Sequence, residues 1–579
     1  MTHFPLRSFV LAVLGATACT QSPAPNMNED MAAMPDMATA GGGMNCDDSA
    51  VAQDGADDPF YPQQWHLKNS GAGGVDLNIG TTWDSNRGDR VLVAVVDDGV
   101  EIRHEDLAIN TKESGGLNFW NGMAGYAASM TDPTPTTQPT GGAPAHGTAV
   151  AGIIAGRDKN GLGVRGVAPR ACVAGVNLIA TGTNNSLQEA QAMKHRLAEM
   201  SVSNNSWGST DGLGRTDGGS MEWANSIVDG ITQGRGGKGI VYLWAAGNGA
   251  KTNEAMTSGF ETDNSNYDGQ ANDPNVLSIC GVMDDGHRVN YSERGANLWV
   301  CGFSQRTTYD TDNRGTVTTD ISAMQGYNAR MPAAGTGLMG NDFANGNYTQ
   351  GFNGTSSATP TVAGVVALIV KENPNLGWRD VRMILAESAT KNDASNADWQ
   401  TNQGTRVSGA GGYNINHNYG FGLANVSAAI ALAKTWTNLP ARATSYDSGL
   451  RTPGSAFADN NTTGAMDAVA VTGSPITRIE AIEVILTATG DIGDLDVRLT
   501  GSGGTESRLA EPHDCFANAM SMTPQMCGQA YAGWRMSTNR HLGETANQTW
   551  TLRVSDRRTG RTSGGTLTSW QLKIHGRAG

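Results

Sequence analysis

Arg90-Val-Leu-Val-Ala-Val-Val-Asp97-Asp98-Gly-Val-Glu101 is the stretch that decides the fold. Val91 to Val96 are apolar without alternation, as in a strand covered on both faces of a parallel sheet. A carboxylate stands where this run ends, and open parallel sheets bind ligands beyond the carboxyl ends of their strands. Ala171-Cys-Val-Ala-Gly-Val-Asn177 and Gly239-Ile-Val-Tyr-Leu-Trp-Ala-Ala246 repeat the pattern. Ser186 to Met200 sets Leu187, Ala190, Met193, Leu197 and Met200 on one helical face. Strands alternating with helices predict an α/β domain with a largely parallel sheet, over residues 57–437.

Beyond this domain the periodicity changes. Lys434-Thr-Trp-Thr-Asn-Leu-Pro440 reads as a linker. After it, Ile479–Leu486, Leu495–Leu499, Thr549–Val554 and Ser569–Ile574 are short, mostly alternating runs between Gly-, Thr- and Asp-rich turns. Residues 443–579 are therefore predicted to form an all-β sandwich.

Toward the N-terminus, a basic region ending at Arg7 precedes the apolar run Phe9–Gly15 and the small residues Ala16-Thr-Ala18, so residues 1–18 read as an export signal. Cys19 follows directly, and two readings stand: a lipidated Cys19 attached to a membrane, or a signal peptide cut nearby. Residues 19–56 are rich in Met, Ala, Asp and Gly and read as a disordered tether. The protein is expected outside the cytoplasm, in the cell envelope or the medium, and as a monomer. Export permits disulfides. Cys515 and Cys527 are the better candidate pair, and Cys280 and Cys301 a weaker one. No cysteine and histidine spacing suggests zinc. The formal charge of −15 argues against nucleic acid and favours cationic partners.

Three motifs carry chemistry. Asp97 ends the strand. His146-Gly-Thr-Ala-Val-Ala-Gly152 opens a helix whose small residues allow close packing. Asn353-Gly-Thr-Ser356-Ser-Ala-Thr-Pro360 leads into the apolar Val362–Val370, a helix buried all round, with Ser356 at its N-terminal, dipole-favoured end. A serine hydroxyl needs a positioned base, and the base an orienting carboxylate. Each motif alone is weak, because Gly-Thr-Ser is usually a turn and an Asp after a strand is often structural. Together they predict an Asp97, His146, Ser356 nucleophilic triad. Asn248, in Gly247-Asn-Gly249 after the third strand, is placed to donate to an acyl oxyanion. Taken alone, that tripeptide also suits a hairpin turn.

These residues, with Pro62-Gln-Gln-Trp-His-Leu67, Ser206-Trp-Gly208, Gln233-Gly-Arg-Gly-Gly237 and Leu376-Gly-Trp-Arg-Asp380, resemble the kexin and furin branch of the subtilases, the proprotein-convertase type. Asp97-Asp98-Gly99 sets that branch apart from ordinary subtilisins. Ile492–Leu499 and Gln548–Asp556 resemble the convertases' P domain. The resemblance spans about Asp58 to Gly576. It implies a subtilisin-like α/β catalytic domain followed by a P-domain β-sandwich, and a calcium-stabilised serine endopeptidase cutting polypeptides after basic residues.

Carried over residue by residue, the resemblance gives Ser206, Trp207 and Gly208 as substrate-binding residues. Asp211 and Asp268 become the acids of the first specificity pocket, and Glu189 and Asp217 those of a more distant subsite. Asp98 becomes one acid of the second subsite, whose other acid is replaced by Ala143. One calcium site is implied at Asp58, Asp106, Asn160 and the carbonyls of Arg157, Leu162 and Val164. A second is implied at Asp211, Asp263 and Glu293. Mixed carboxylate and carbonyl oxygens suit a hard cation. Convertases also carry a folded pro-segment ending in basic residues, which the tether does not resemble. Two other readings stay open: a broad-specificity scavenging subtilase whose acids serve only calcium, and a catalytically dead surface-binding protein.

Overall fold

The computed structural model describes residues 55–579 except 72, 112, 124–128, 136–143, 181–183, 251–259, 309–313, 323–325, 329–341, 519–520, 522 and 561–563. The export signal, Cys19, nearly all of the tether and Ala143 lie outside the described residues. No helix among the described residues is long and apolar enough to cross a membrane.

The opening stretch forms β1 (Leu92–Asp97), every residue of it buried. It lies inside a seven-stranded sheet with β2 (Leu117–Asn118), β3 (Cys172–Asn177), β4 (Val202–Asn205), β5 (Val241–Ala245), β6 (Val276–Met283) and β7 (Leu298–Gln305), ordered β2-β3-β1-β4-β5-β6-β7. Every pairing is parallel, so continuous apolar runs rather than alternation were the correct signal. The chain order reverses around β1, which puts Asp97 where such sheets open a crevice.

Helices α1 (His146–Ala155), α2 (Ser186–Met193), α3 (Met221–Gly237), α4 (Thr355–Glu372), α5 (Trp378–Ser388) and α6 (Val426–Thr435) flank the sheet. In α4 every residue from Ser357 to Val370 is buried, as the unbroken apolar run requires. Two expectations need correction. The helix read over 186–200 stops at Met193, and Arg196 adopts φ +51° in the turns beyond. The linker read from Lys434 begins inside the last turn of α6, and its Trp436 Nε1 and Leu439 N then bind Asp380 on α5.

Short strands β8 (Thr316–Thr319) and β9 (Tyr348–Phe352) pair with each other, as do β10 (Gln400–Thr401) and β11 (Asn414–Ile415). The C-terminal region holds two antiparallel sheets. One contains β12 (Tyr446–Asp447), β13 (Ser455–Phe457), β15 (Arg478–Ala488), β18 (Tyr531–Thr538) and β20 (Gly565–Arg577). The other contains β14 (Asn461–Ala470), β16 (Leu495–Gly501), β17 (Glu506–Ala510) and β19 (Thr549–Asp556). Their apolar faces share one core, and Tyr267 and Ala296 of the preceding region pack into it. Both Cys515–Cys527 and Cys280–Cys301 are disulfides. The second pair, the weaker sequence reading, lies in register across neighbouring β6 and β7.

Candidate active site

Strand β1 delivers Asp97 fully buried, and α1 begins with His146, whose Nδ1 lies 2.8 Å from Asp97 Oδ1. Gly147 makes this approach possible, since a Cβ there would stand 2.1 Å from Gly99 O and 2.9 Å from the Asp97 Cβ. Asp98, read as a subsite acid, caps α1: its carboxylate accepts from the N–H groups of His146 (3.2 Å) and Gly147 (2.8 Å). Burial alone would push the imidazole pKa down, but the Asp97 carboxylate, with Asp98 behind it, raises it to about 9.

Ser356 is the second residue of α4. Proline at 360 supplies no N–H to the Ser356 carbonyl one turn back, and that carbonyl accepts from Ser206 Oγ instead (3.1 Å). The Ser356 hydroxyl donates in turn to the Ser206 carbonyl (3.1 Å). Among the described residues the structure records no hydrogen bond between Ser356 and His146. Triad contacts are commonly loose before substrate arrives.

A cavity of about 430 Å³ opens beside Ser356. Its lining brings together Asn248, Ser206, Trp207, Gly208 and the carboxylates of Asp211, Asp263, Asp268 and Glu293. Asn248 Oδ1 accepts from the Thr355 N–H (2.7 Å) and hydroxyl (2.9 Å), capping α4. One hydrogen of its Nδ2 reaches Asp211 Oδ2 (3.2 Å), which leaves a second donor on that nitrogen. Asp268 accepts three backbone N–H bonds of 2.8 Å, from Ser209, Gln270 and Ala271. Burial nevertheless raises its pKa and that of Asp211. Glu293 is pushed well up by burial and then by Asp263 and Asp211. Buried carboxylates that destabilise one another in this way form a donor set suited to a hard cation.

Glu189 and Asp217 do not line this cavity. They lie near enough for Asp217 to raise the Glu189 pKa after burial has done so, and Asn184 Nδ2 binds Glu189 Oε1 at 2.6 Å. Sequence reasoning missed Ser206 as the lock on Ser356, and Arg215, the one cationic side chain among the described residues of the cavity lining. An arginine in a polar loop gives no sequence signal for such a position.

The other group of predicted ligands also converges. Asp106 accepts from Asn160 Nδ2 (2.7 Å) and Val164 N (2.8 Å), and Asp58 accepts from Asn160 N (3.3 Å) and Arg165 Nε (2.8 Å). The Arg157 N–H binds the Asp106 carbonyl, and Leu162 N binds Asn160 Oδ1 at 2.9 Å. Burial, with Asp58 nearby, pushes Asp106 up to about 8. The Asp58 and Asp106 carboxylates are the oxygen donors this cluster offers, while Asn160 turns its Nδ2 toward Asp106 and its Oδ1 toward Leu162 N.

Comparison with known proteins agrees with this geometry. Residues 88–422 match the subtilase family (Peptidase S8), and residues 479–574 the proprotein convertase P-domain. The chain is 29% identical to neuroendocrine convertase 2 of Drosophila melanogaster over 531 residues, covering 90% of this chain and 72% of that one. It is 30% identical to human proprotein convertase subtilisin/kexin type 7 over 526 residues, covering 90% of this chain but only 60% of that one. The crystal structure of the Aeromonas sobria serine protease superposes with a TM-score of 0.73 at 28% identity, covering 93% of this chain and 99% of that one. The chain therefore belongs to the subtilase family, as a kexin-like serine endopeptidase that carries a convertase-type P domain.

Proposed function

We propose that this protein is an exported, calcium-stabilised endopeptidase that cleaves after Arg or Lys, with Asp97, His146 and Ser356 as its triad. Ser356 Oγ attacks the scissile carbonyl while His146 takes its proton, and the imidazolium returns that proton to the leaving amine. Asp97 holds the imidazole and offsets its charge. The spare Nδ2 hydrogen of Asn248 points to an oxyanion role in the tetrahedral intermediates. Water then repeats the sequence on the acyl-enzyme. Asp58, Asp106 and Asn160 would hold one calcium ion, and Asp211, Asp263 and Glu293 another. Bound calcium would neutralise buried carboxylates and supply no chemical step.

The observation that supports the specificity is the group of four acids lining the cavity beside Ser356, with Asp263 and Glu293 buried and Asp211 and Asp268 partly exposed, where Asp268 would meet a guanidinium or ammonium. Losing one partner of such a pair costs about 2–5 kcal/mol, or roughly 30- to several-thousand-fold in kcat/KM. Asp268→Asn should therefore depress cleavage of an Arg peptide far more than that of a matched Leu peptide. Glu189→Gln should act only on substrates with a second, more distant basic residue. A second reading has its own support: Asp268 already accepts three backbone bonds, and Arg215 lines the same cavity. On that reading the acids serve calcium and the enzyme cuts broadly. A wild-type Arg-to-Leu preference near one would decide for it.

A further inference from the structure

We propose that His513, two residues before the disulfide loop of the C-terminal sandwich, is a positioning residue of the substrate pocket: it fixes the segment from Asp211 to Asp217 that carries one pocket wall. The inference rests on the proposed location of the specificity pocket beside Ser356.

That segment has almost no secondary structure of its own. It is held from two sides. On the inner side Asp263 accepts from Gly212 N and, at 2.5 Å, from Gly214 N. On the outer side the contacts among the described residues come from the sandwich. His513 Nε2 lies 2.7 Å from the Gly214 carbonyl, and Cys515 Sγ 2.8 Å from the same oxygen. Phe516 N donates to Leu213 O (3.1 Å), and Thr216 N to Gln529 Oε1 (3.3 Å). Gly214 has φ +68°, and a Cβ on it would stand 2.6 Å from Asp514 O and 2.9 Å from the His513 ring. The two surfaces are thus in backbone contact.

The opposite face of the imidazole meets the second pocket wall. Its Nδ1 lies 2.8 Å from the Glu511 carbonyl and 3.2 Å from the hydroxyl of Tyr267, which donates to the same carbonyl (3.1 Å), precedes Asp268 and lines the cavity. The two walls that bear the pocket acids are joined directly by Asp217 N to Tyr267 O (3.0 Å) and Gly269 N to Asp217 O (2.8 Å), and the buried His513 side chain spans them a second time. Cys515 and Cys527 sit against the same ring, with Cys527 Sγ 3.6 Å from His513 Nε2. Because they are oxidised they offer no thiolate to a metal, and they hold the loop that follows His513. Asn248 N and Nδ2 keep Asp211 anchored, so displacement of the segment beyond it would distort the pocket wall while leaving Asp97, His146 and the Asn248 donor in place.

The full-length enzyme tests this with His513→Leu, which removes the donor, and His513→Gln, which can still offer an N–H to Gly214 O. Leaving a buried acceptor unmade should raise KM for the preferred peptide about 5- to 100-fold. The kcat and the rate of Ser356 labelling by a small fluorophosphonate should stay within about threefold, by the same reasoning that the triad is not touched. The Gln variant should recover most of the KM loss. Gln529→Ala, which removes only the Thr216 contact, should give a smaller rise and guards against failure of His513→Leu to fold. Equal behaviour of the Leu and Gln variants, a fall in kcat with KM unchanged, or an unaltered KM in Gln529→Ala and His513→Leu would each overturn the proposal. Absence of an Arg preference in wild type would overturn the specificity reading separately, since KM can be followed on whichever peptide is cut best.

Discussion

At Ser356 the helix gives up one of its own hydrogen bonds. Pro360 leaves the serine carbonyl to Ser206 Oγ, while the serine hydroxyl rests on the Ser206 carbonyl. The nucleophile is thus held by a neighbour that lines the same cavity. Ser356→Ala should keep the fold and leave less than about a thousandth of the turnover, measured on a peptide with folding checked by circular dichroism. More residual activity would move the nucleophile elsewhere. Asn248→Ala should cost about 100- to 1,000-fold in kcat, the loss seen when a subtilisin loses one such donor, with KM little changed. His146 makes a further prediction. Its pKa is raised to about 9 by Asp97 and Asp98 against the effect of burial. A protonated imidazole cannot accept the serine proton, so kcat/KM should rise with pH on a limb centred well above 7. Asp98→Asn removes one of the charges that favour the imidazolium and should shift that limb to lower pH. A limb centred near the ordinary histidine value in wild type, or one unmoved by the substitution, would contradict this.

At the scale of elements, β1, α1 and α4 carry the proposed triad, and all three were legible because burial on every side leaves unbroken apolar or small-residue runs. Asp97 was readable as a strand exit and Ser356 as a helix start. What the sequence could not show arises where turns fold back. The end of α2 at Met193 depends on a left-handed Arg196, and Met200 is buried without belonging to the helix. The three amides around Asp268, and Arg215 in the cavity wall, are likewise products of loop paths that have no period to read. The contact of α1 with β1 offers a test. Gly147→Ala places a methyl against the Gly99 carbonyl, so α1 must retreat and draw His146 from Asp97. Overpacking of this kind costs about 1–3 kcal/mol in stability. Activity should suffer more than that, by at least about tenfold, because the triad relies on the same contact. Comparing the loss of kcat with the shift in melting temperature checks it; a less stable but fully active variant would show that the geometry tolerates the retreat.

Over the whole molecule, the sandwich and the catalytic region share charge as well as apolar surface. Glu480 of β15, held at about 2 by Arg379 and its neighbours against the effect of burial, receives Arg379 Nε of α5 at 2.7 Å, and Arg535 of β18 meets Asp273 at 2.9 Å. Truncation after Lys434 would leave Arg379 unpaired and bare Tyr267 and Ala296, so the fragment should be insoluble or inactive. A soluble, fully active one would make the sandwich an independent module. Calcium acts at the same scale. Without the ion, burial pushes Asp106 up to about 8 and Glu293 well above its ordinary value. The folded protein then keeps protons that an unfolded chain releases near pH 4. Stability follows the difference in bound protons, so the metal-free form loses stability as pH rises from about 4 toward 8. Calcium at the proposed sites would reverse this by taking the place of those protons, and at a hundredfold excess over its dissociation constant would add about 2.7 kcal/mol per site. A chelator should therefore lower the melting temperature, and lower it more at pH 8 than at pH 5. An equal drop at both values would detach the effect from these carboxylates, and no drop at either would remove both calcium sites.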